Sequence, residues 1–578
     1  MKKMKFTAIL LSMCCLGGVL AGCGSDTAKT ASSEPAETQS VASEAPAASA
    51  DADGFVGLED RTPVTLTLFE KDVTEDIEFT DPIAQKITEL TGVTLKIEHA
   101  VGGDEQAIPL MIASGDYPDM IYAKGDVNKL IDAGALLPLD DLIEEKGDNL
   151  KYLYGDMMQR LKFSQDDPTI YTVGCYGVST ALWKTDGVMQ IQNAVLKDQG
   201  YPLINTIDKY EAALQAYKDK YPQIEGQDTI GLCLMGSDWR WLITVGNIAG
   251  AAAGIFDDGE WSINDDTGEA KYKYLEPGVK EYMKWLCHMN DIGLLDPESF
   301  THQEDVYYAK LASGRVLGSA TPDWGTGDAK KALIAAGLEE RTMAALNVTL
   351  NEDIESQFSK DPGFSGGQGI AICASSENAD RAFEFLDWMA SDEAQVLNNW
   401  GIEGVNYTID ENGKRQLTEE MQQQKVSDKD FVKKTGVGKY TYPFPQRGDG
   451  AVDPTGNYYS TNSPEQVEAE FTETEKETLK AYGKELWVDF FPARDSLPVS
   501  KHGQAWQFSI PSDSDLAIFN KKSEDYIKQA VTQAILGKPE DFDAAWDTIM
   551  AKLDEMGVAE ANAQMTQYTK DTIAFWNN

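Results

Sequence analysis

The sequence predicts an α/β protein whose folded body carries two lobes or more, and three observations lead there. From residue 63 onward, short alternating apolar runs trade places with helical patterns, the mark of parallel βαβ units in which helices cover both faces of a sheet. The body, from about residue 61 to 578, is too long for one ordinary hydrophobic core. An apolar strand, "GIAICA" (369–374), follows a long helical stretch and is apolar enough to be central, which suggests that the chain returns to its first sheet.

In chain order, "PVTLTLFEKD" (63–72) alternates and reads as a strand. "DPIAQKITELTG" (81–92) reads as a helix, with Pro82 early and Gly92 at its end. "VTLKIEHAV" (93–101) is a second strand, "DEQAIPLMIASG" (104–115) a helix with a glycine stop, and "MIYA" (120–123) a third strand. Between the last two, Gly115 ends the helix and Pro118 fixes the corner, with Asp116 and Asp119 as turn and cap residues. In "GALLPLDDLIEEKG", Asp140 or Asp141 can cap a new helix.

From about residue 185 the pattern is mostly helical. Tyr210, Ala213, Leu214 and Tyr217 share one helical face, and so do Val279, Tyr282, Met283 and Leu286. "GRVLGSATPDWG" (314–325) is a short strand leading into a loop. "GQGIAICASSENADRAFEFLDWMASDEAQVLNNWG" reads as a strand, a loop and a long helix. Trp285, Trp388 and Trp546 sit within helical patterns and are assigned to the core or a helix surface.

The N-terminus, "MKKMKFTAILLSMCCLGGVLAGCGSD", has lysines before an apolar run too short to span a membrane, and reads as a secretory signal over 1–22. Leu20-Ala21-Gly22-Cys23 resembles the bacterial lipobox, which makes Cys23 the lipidated residue. Residues 23–60, rich in Ala, Ser, Glu, Thr and Asp, show no apolar period and read as a flexible acidic tether.

The formal charge of −45 becomes more negative still once the leader lysines are removed. Such a surface argues against nucleic-acid binding and against a basic membrane-binding face, so the membrane is reached through the lipid only. Cys175, Cys233, Cys287 and Cys373 lie far apart without CxxC spacing and read as free thiols, Cys287 on an apolar helical face.

No HExxH or P-loop occurs, and the GxSxG spacing occurs once, at Gly363-Phe364-Ser365-Gly366-Gly367. "GFSGGQG" (363–369) precedes a strand rather than opening a helix, and reads as a turn or hinge. His99, His288, His302 and His502 have no ligand-spaced partners, so neither a metal nor a cofactor is expected. "IDENGK" (409–414) lacks full calcium-loop spacing and reads as a turn at Asn412-Gly413.

The order of segments resembles the family 1 extracellular solute-binding proteins of bacterial carbohydrate ABC importers. The resemblance runs through the lipobox, the acidic tether, "ASGDYPDMIYA", "GALLPLDDLI", "TIYTVGCYGVSTALWKTDG", "NTIDKYEAAL", "GRVLGSATPDW" and "AICASSENADRAFEFLDWMASDEAQ". "NWGIEGVNYTIDENGK" (399–414) looks like the larger lipoprotein branch, linked to oligosaccharide uptake.

The resemblance implies a two-lobe periplasmic-binding-protein-like α/β fold, each lobe a mainly parallel sheet flanked by helices, with the ligand in the cleft. Residues 61–183 and 340–415 would form the first lobe, 184–339 and 416–578 the second. The implied function is capture of a sugar or oligosaccharide, hinge closure, and delivery to ABC permease subunits, without catalysis. The implied protein is a monomer, lipid-anchored at the extracellular face of the cell membrane. The rivals are a peptide or other small solute on the same fold, a sensor that feeds a kinase rather than a pore, and a cell-surface glycan hydrolase or lyase.

A sugar site wants aromatic platforms and a few carboxylates, amides or arginines. Loop aromatics beside polar residues therefore become candidates: Trp239, Arg240 and Trp241 in "GSDWRWL", Asp323 and Trp324 in "TPDWGTGD", Tyr442 and Arg447 in "YTYPFPQRGDG", and Trp506 in "GQAWQFS". By the resemblance, Tyr122, Lys124 and Asp126 line the first lobe's wall, since strand carboxyl ends face the crevice, and Tyr176 does likewise. The acidic sugar-binding residue of the family is replaced here by "GCYGVS".

Overall fold

The computed structural model describes residues 55–73, 77–100 and 104–577, without the side chains of Asp104, Glu105 and Asp323. The leader over 1–22, Cys23 and the tether as far as residue 54 lie outside the described residues. Residues 55–60, expected in the tether, are already part of the folded body. Phe55 is buried, and the Val56 and Gly57 amides donate to the Glu393 carboxylate at 2.7 and 2.8 Å. One aromatic and two amides are too little to register as an apolar period.

The first sheet has the strand order Val93–Glu98, Val64–Glu70, Met120–Tyr122, Ile370–Ile372, Thr172–Val173. The first three are parallel, and Ile370–Ile372 runs antiparallel to both of its neighbours. Side chains alternate faces along a strand. Leu66, Leu68, Met120, Tyr122, Ile370 and Ile372 therefore pack into one core, while Phe69, Ile121 and Ala371 pack into the other. The central strands Met120–Tyr122 and Ile370–Ile372, covered on both faces, are buried throughout, whereas Val64–Glu70 and Val93–Glu98 alternate in part.

The second sheet has the order Met343–Ala345, Val188–Gln192, Val316–Thr321, Ile230–Cys233. Here Val188–Gln192 is the reversed strand, antiparallel to both neighbours, and Val316–Thr321 pairs parallel with Ile230–Cys233. Parity again splits the cores: Leu317 and Leu232 face one, Val316 and Cys233 the other. Each sheet is thus parallel apart from one strand. In both, the reversed strand is the one by which the chain enters from the other lobe, so it runs from the cleft inward.

Local signals explain the helices. Asp81 caps Pro82–Thr91 by accepting from the Ala84 amide at 2.9 Å, and Gly92 ends it at φ +72°. The faces of Ile207–Lys220 and Pro277–Asp291 named above are buried. Two expectations change. Asp140 and Asp141 stand in the first turn of Asp140–Lys146, not at its cap, and Asp140 accepts from the Ile170 amide at 2.9 Å. The long helix expected over 379–400 is two, Ala379–Met389 and Asp392–Trp400, because Ser391 caps the second through the Ala394 amide.

The chain leaves the first sheet between Val173 and Val188 and returns between Ala345 and Ile370. The expected border at 415 is displaced. Phe431, Val437, Tyr440 and Phe444 complete the core of the first lobe, and Tyr440 Oη donates to Asp81 at 2.6 Å. The first residue to join the second lobe's core afterwards is Val467. This stretch adds no strand to either main sheet, so no strand pattern marked its allegiance. The four cysteines of the body are free and buried. Among the described residues, no helix is long and apolar enough to cross a membrane.

Candidate functional site

Short loops follow the carboxyl ends of the parallel strands, where α/β sheets place their ligand crevice. On the first lobe these loops carry Lys71, Asp72, Lys124, Asp126 and Tyr176; on the second, Trp239, Arg240 and Trp324.

On the first wall, Tyr122 is fully buried, because it belongs to a central strand covered on both faces. It acts from beneath: its hydroxyl meets that of Tyr442 at 2.5 Å, and Tyr442 donates to Asp72 at 2.7 Å. Burial raises the Tyr122 phenol far above its ordinary range, so it stays a neutral donor. Lys124, in the left-handed region at φ +52°, pairs with Asp72 at 2.6 Å. Asp126 pairs with Lys71 and Lys129, each at 2.6 Å. Burial alone would raise the Asp126 carboxyl, but those two lysines hold it below its ordinary value.

Tyr176 joins the lobes. Its ring lies 6.2 Å from that of Tyr442 and edge-on to Trp506 at 5.8 Å. Trp506 rests on Gly259, where an added Cβ would stand 2.9 Å from the tryptophan Cβ; glycine permits that approach at φ +68°. Trp506 is 39 % exposed and so offers part of its face.

On the second wall, Trp239 and Trp324 stack at 5.9 Å with 20° between planes, and both are more than half exposed. The Arg240 guanidinium lies over Trp239, held by Asp238 at 2.8 Å and Glu304 at 2.6 Å. The Asp323 side chain lies outside the described residues.

Two candidates belong elsewhere. Trp241 is 2 % exposed, its indole N–H donating to Thr532 Oγ1 at 2.9 Å. Residues two apart at a helix start point to opposite sides, which sends Trp239 out and Trp241 in. Arg447 is buried, paired with Asp392 at 3.1 Å and stacked 4.1 Å from the Tyr152 ring. It sits in the strand Gln446–Asp449, and alternation turns Gln446 toward a cavity and Arg447 toward the core.

That cavity, of about 330 Å³, holds residues that the sequence reading passed over. Its wall continues from Tyr176 and is rich in carboxamides: Gln395, Asn399, Gln446, Asn462, Gln504 and Gln507. Hydroxyls of Ser179, Thr180, Ser365 and Ser460 add to it, and Asp449 is its one carboxylate. Burial pushes the Asp449 carboxyl upward, against hydrogen bonds from Ser460 at 2.7 Å and Asn462 at 3.3 Å. Segments 177–181, 362–365 and 459–462, all from the connections between lobes, line it together with first-lobe residues and the 504–507 loop. Strand Gly177–Thr180 pairs in parallel with Gln446–Asp449, and the backbones nearly touch at Gly448, φ +82°. The legible signal was the neighbourhood of the chosen aromatic and cationic residues: Gln446 beside Arg447, and Gln504 and Gln507 flanking Trp506.

Two other places are less suited to a sugar. A cavity of about 200 Å³ is walled by Trp183, Met343, Phe471 and Trp487, and its half-buried Glu470 is bracketed by Lys184 at 2.8 Å and Lys425 at 2.7 Å. Burial would raise Glu470, but the two lysines outweigh it and hold the carboxyl at about 2. This charge cluster satisfies itself and leaves less for hydroxyls. Cys233, Asp296 and His302 offer ligand atoms within 4.8 Å of one another. The Lys310 ammonium, 2.6 Å from Asp296 and 3.4 Å from His302 Nδ1, already supplies the positive charge there.

A family model for bacterial extracellular solute-binding proteins matches residues 82–402, more than half of the chain. The chain belongs to that family. As a solute-binding protein, it has its two sheets in two lobes. Over 249 residues it is 25 % identical to the fructooligosaccharide ABC transporter substrate-binding protein FusA of Streptococcus pneumoniae serotype 4, a match that spans 39 % of this chain and 44 % of that relative. Whole-chain likeness is structural. FusA of S. pneumoniae in complex with kestose superposes with a TM-score of 0.64 at 19 % identity, over 88 % of this chain and 99 % of that one. The alginate-binding protein AlgQ2 without calcium ion gives 0.63 at 17 %, over 88 % and 98 %. A solute-binding protein of Bifidobacterium longum infantis described as HMO binding gives 0.61 at 17 %, over 89 % and 99 %. At these identities the superpositions establish the fold.

Proposed function

We propose that this solute-binding protein captures a sugar or oligosaccharide outside the cell and delivers it to the permease subunits of an ABC importer, with no covalent chemistry of its own. The observation that carries the reading is the carboxamide-rich cavity beside Tyr176 and Trp506. Sugars present hydroxyl rims and C–H faces, which amides and aromatic rings match respectively. Because the cavity draws on three interlobe segments, a solute inside touches the parts that move when the lobes close. Occupancy can then bias an open–closed equilibrium, which is what a permease would read.

Binding rather than hydrolysis is in keeping with Asp449 as the one carboxylate of the cavity wall, since glycosidases work with a pair. The strong negative charge of the chain speaks against a nucleic-acid role. Cys23 is the anchor that tethers the protein, as a monomer, to the outer face of the cell membrane. Its test is Cys23→Ala, which should move the protein from the membrane fraction to the medium.

The sugar reading is tested by melting the protein against a panel of mono- and oligosaccharides, peptides and lipids. A glycan should raise the midpoint in a concentration-dependent way. A shift produced only by a peptide or lipid would replace the carbohydrate reading with another solute.

A further inference from the structure

A second cavity, of about 350 Å³, adjoins the carboxamide cavity, and Ser365 and Gln507 line both. Residues 160–166 of the first lobe form one side of it. The helix Val558–Trp576 forms the other through Tyr568, Phe575 and Trp576. Gln159 Nε2 donates to the Phe575 carbonyl at 3.3 Å, so the two sides touch.

Two cations line this space, Arg160 and Lys162. Arg160 is half-buried, its guanidinium 4.7 Å from the centre of the Trp576 ring, and it donates to the Phe364 carbonyl at 2.7 Å. That carbonyl takes one of five N–H groups and brings no counter-charge. Among the described residues, neither Arg160 nor Lys162 pairs with a carboxylate. The arginines beside the carboxamide cavity differ: Arg494 meets Asp361 at 2.8 Å and Arg447 meets Asp392 at 3.1 Å. Burial pulls the Arg160 guanidinium below its ordinary value, with nothing to offset it. A charge taken partly out of water without a partner is costly, so the place favours an anion. The two carboxylates of the wall, Asp166 and Asp571, are exposed, and Asp571 accepts from Gln567 at 2.8 Å.

The rest of the wall is aromatic and hydroxylic, with Phe163, Tyr568 and Phe575 beside Ser164, Ser509 and Thr572. A sugar ring offers C–H faces to such rings and hydroxyls to such serines. A carboxylate or sulfate on the same ring would meet the guanidinium in a charge-assisted hydrogen bond.

We propose that this second cavity is a subsite for an acidic sugar unit, its carboxylate or sulfate held by Arg160 and Lys162, and that the solute is therefore an anionic glycan. This rests on the sugar reading above and narrows it.

The experiment uses the full-length protein in detergent. Melting and calorimetric titration compare oligogalacturonides, alginate oligomers and sulfated galactose oligomers with neutral oligomers of matched length. Benzoate and phenyl sulfate serve as anions without a sugar. At least one acidic oligomer should bind about 10-fold or more tighter than its neutral counterpart, and added salt should narrow that gap. The uronate and sulfate arms tell which acid is preferred, and either supports the proposal. Arg160→Gln should weaken the acidic binder about 10- to 100-fold and leave neutral oligomers unaffected. Because Arg160 also holds the Phe364 carbonyl, Lys162→Gln is the second variant. It should leave the melting midpoint of the free protein unchanged and cost about 3- to 5-fold in affinity for the acidic binder alone. Neutral oligomers that bind as tightly as acidic ones overturn the inference and leave the sugar reading standing. Acidic binding undiminished in both variants places the anion elsewhere and removes this cavity from the account. Binding of benzoate or phenyl sulfate without any acidic glycan overturns the sugar unit in the subsite. If no glycan of either charge binds, the sugar reading falls and this inference with it.

Discussion

The hydroxyls of Tyr122 and Tyr442 meet at 2.5 Å although 320 residues separate them in the chain. The contact binds the carboxyl end of a central strand to a loop that arrives from the far end of the sequence, and Asp72 anchors it from the outside. Tyr442→Phe should leave the Tyr122 hydroxyl with only the Cys175 sulfur at 3.8 Å and cost about 1–2 kcal/mol. A shifted urea midpoint with an unchanged slope would report it; an unshifted midpoint would mean the pair contributes nothing.

Trp241 and Trp239 stand two residues apart and should behave oppositely. Trp241→Ala removes a buried indole and should cost about 3–5 kcal/mol. Trp239→Ala, on the exposed stack with Trp324, should cost under about 1 kcal/mol yet weaken glycan binding. Equal losses of stability in the two variants would contradict the placement.

Glu70 supplies a pH signature. Burial, helped by Asp72, raises its carboxyl to about 7. A raised acid favours the folded state while protonated, so its contribution is complete below about pH 4.5 and fades as pH rises through 7, by at most about 3 kcal/mol. Glu70→Gln should therefore gain stability over wild type progressively between pH 5 and 8. A wild-type minus variant difference that stays flat across that interval would remove Glu70 from the account.

Asp119 tests the opposite end of the neighbouring strand, just before Met120. Its two oxygens accept from the Thr67 amide and hydroxyl at 2.9 Å, from Ser376 at 2.6 Å and from Asn378 at 3.2 Å. Burial would raise its carboxyl, but these donors lower it, so its contribution is present above the ordinary aspartate value and lost as pH falls below it. Asp119→Ala should cost about 1–3 kcal/mol without changing glycan affinity, because the residue lies at the strand start, away from the crevice. Reduced affinity measured by titration at full folding would place it wrongly.

Much of the candidate site was legible where composition and strand direction meet. The loops after strand carboxyl ends carry Tyr176, Trp239, Trp324 and Lys124, and parallel strands alone send them to one side. Partners were not legible. Nothing in "YTYPFPQRGDG" tells that Tyr442 reaches Tyr122 while Arg447 turns to Asp392, since both choices depend on segments that lie far away in the chain.

By itself the sequence determined the α/β class, the helix and strand order of the first lobe and the return strand at 370–372, because each is written in local periodicity, capping and spacing. Only the tertiary structure decided which tryptophans are exposed and which are core, that residues 431–449 belong with the first lobe, and that six carboxamides from separate segments close around one cavity. Those outcomes follow from long-range packing and from the pairing of buried polar groups, which fix where a side chain points only once its distant partners are in place.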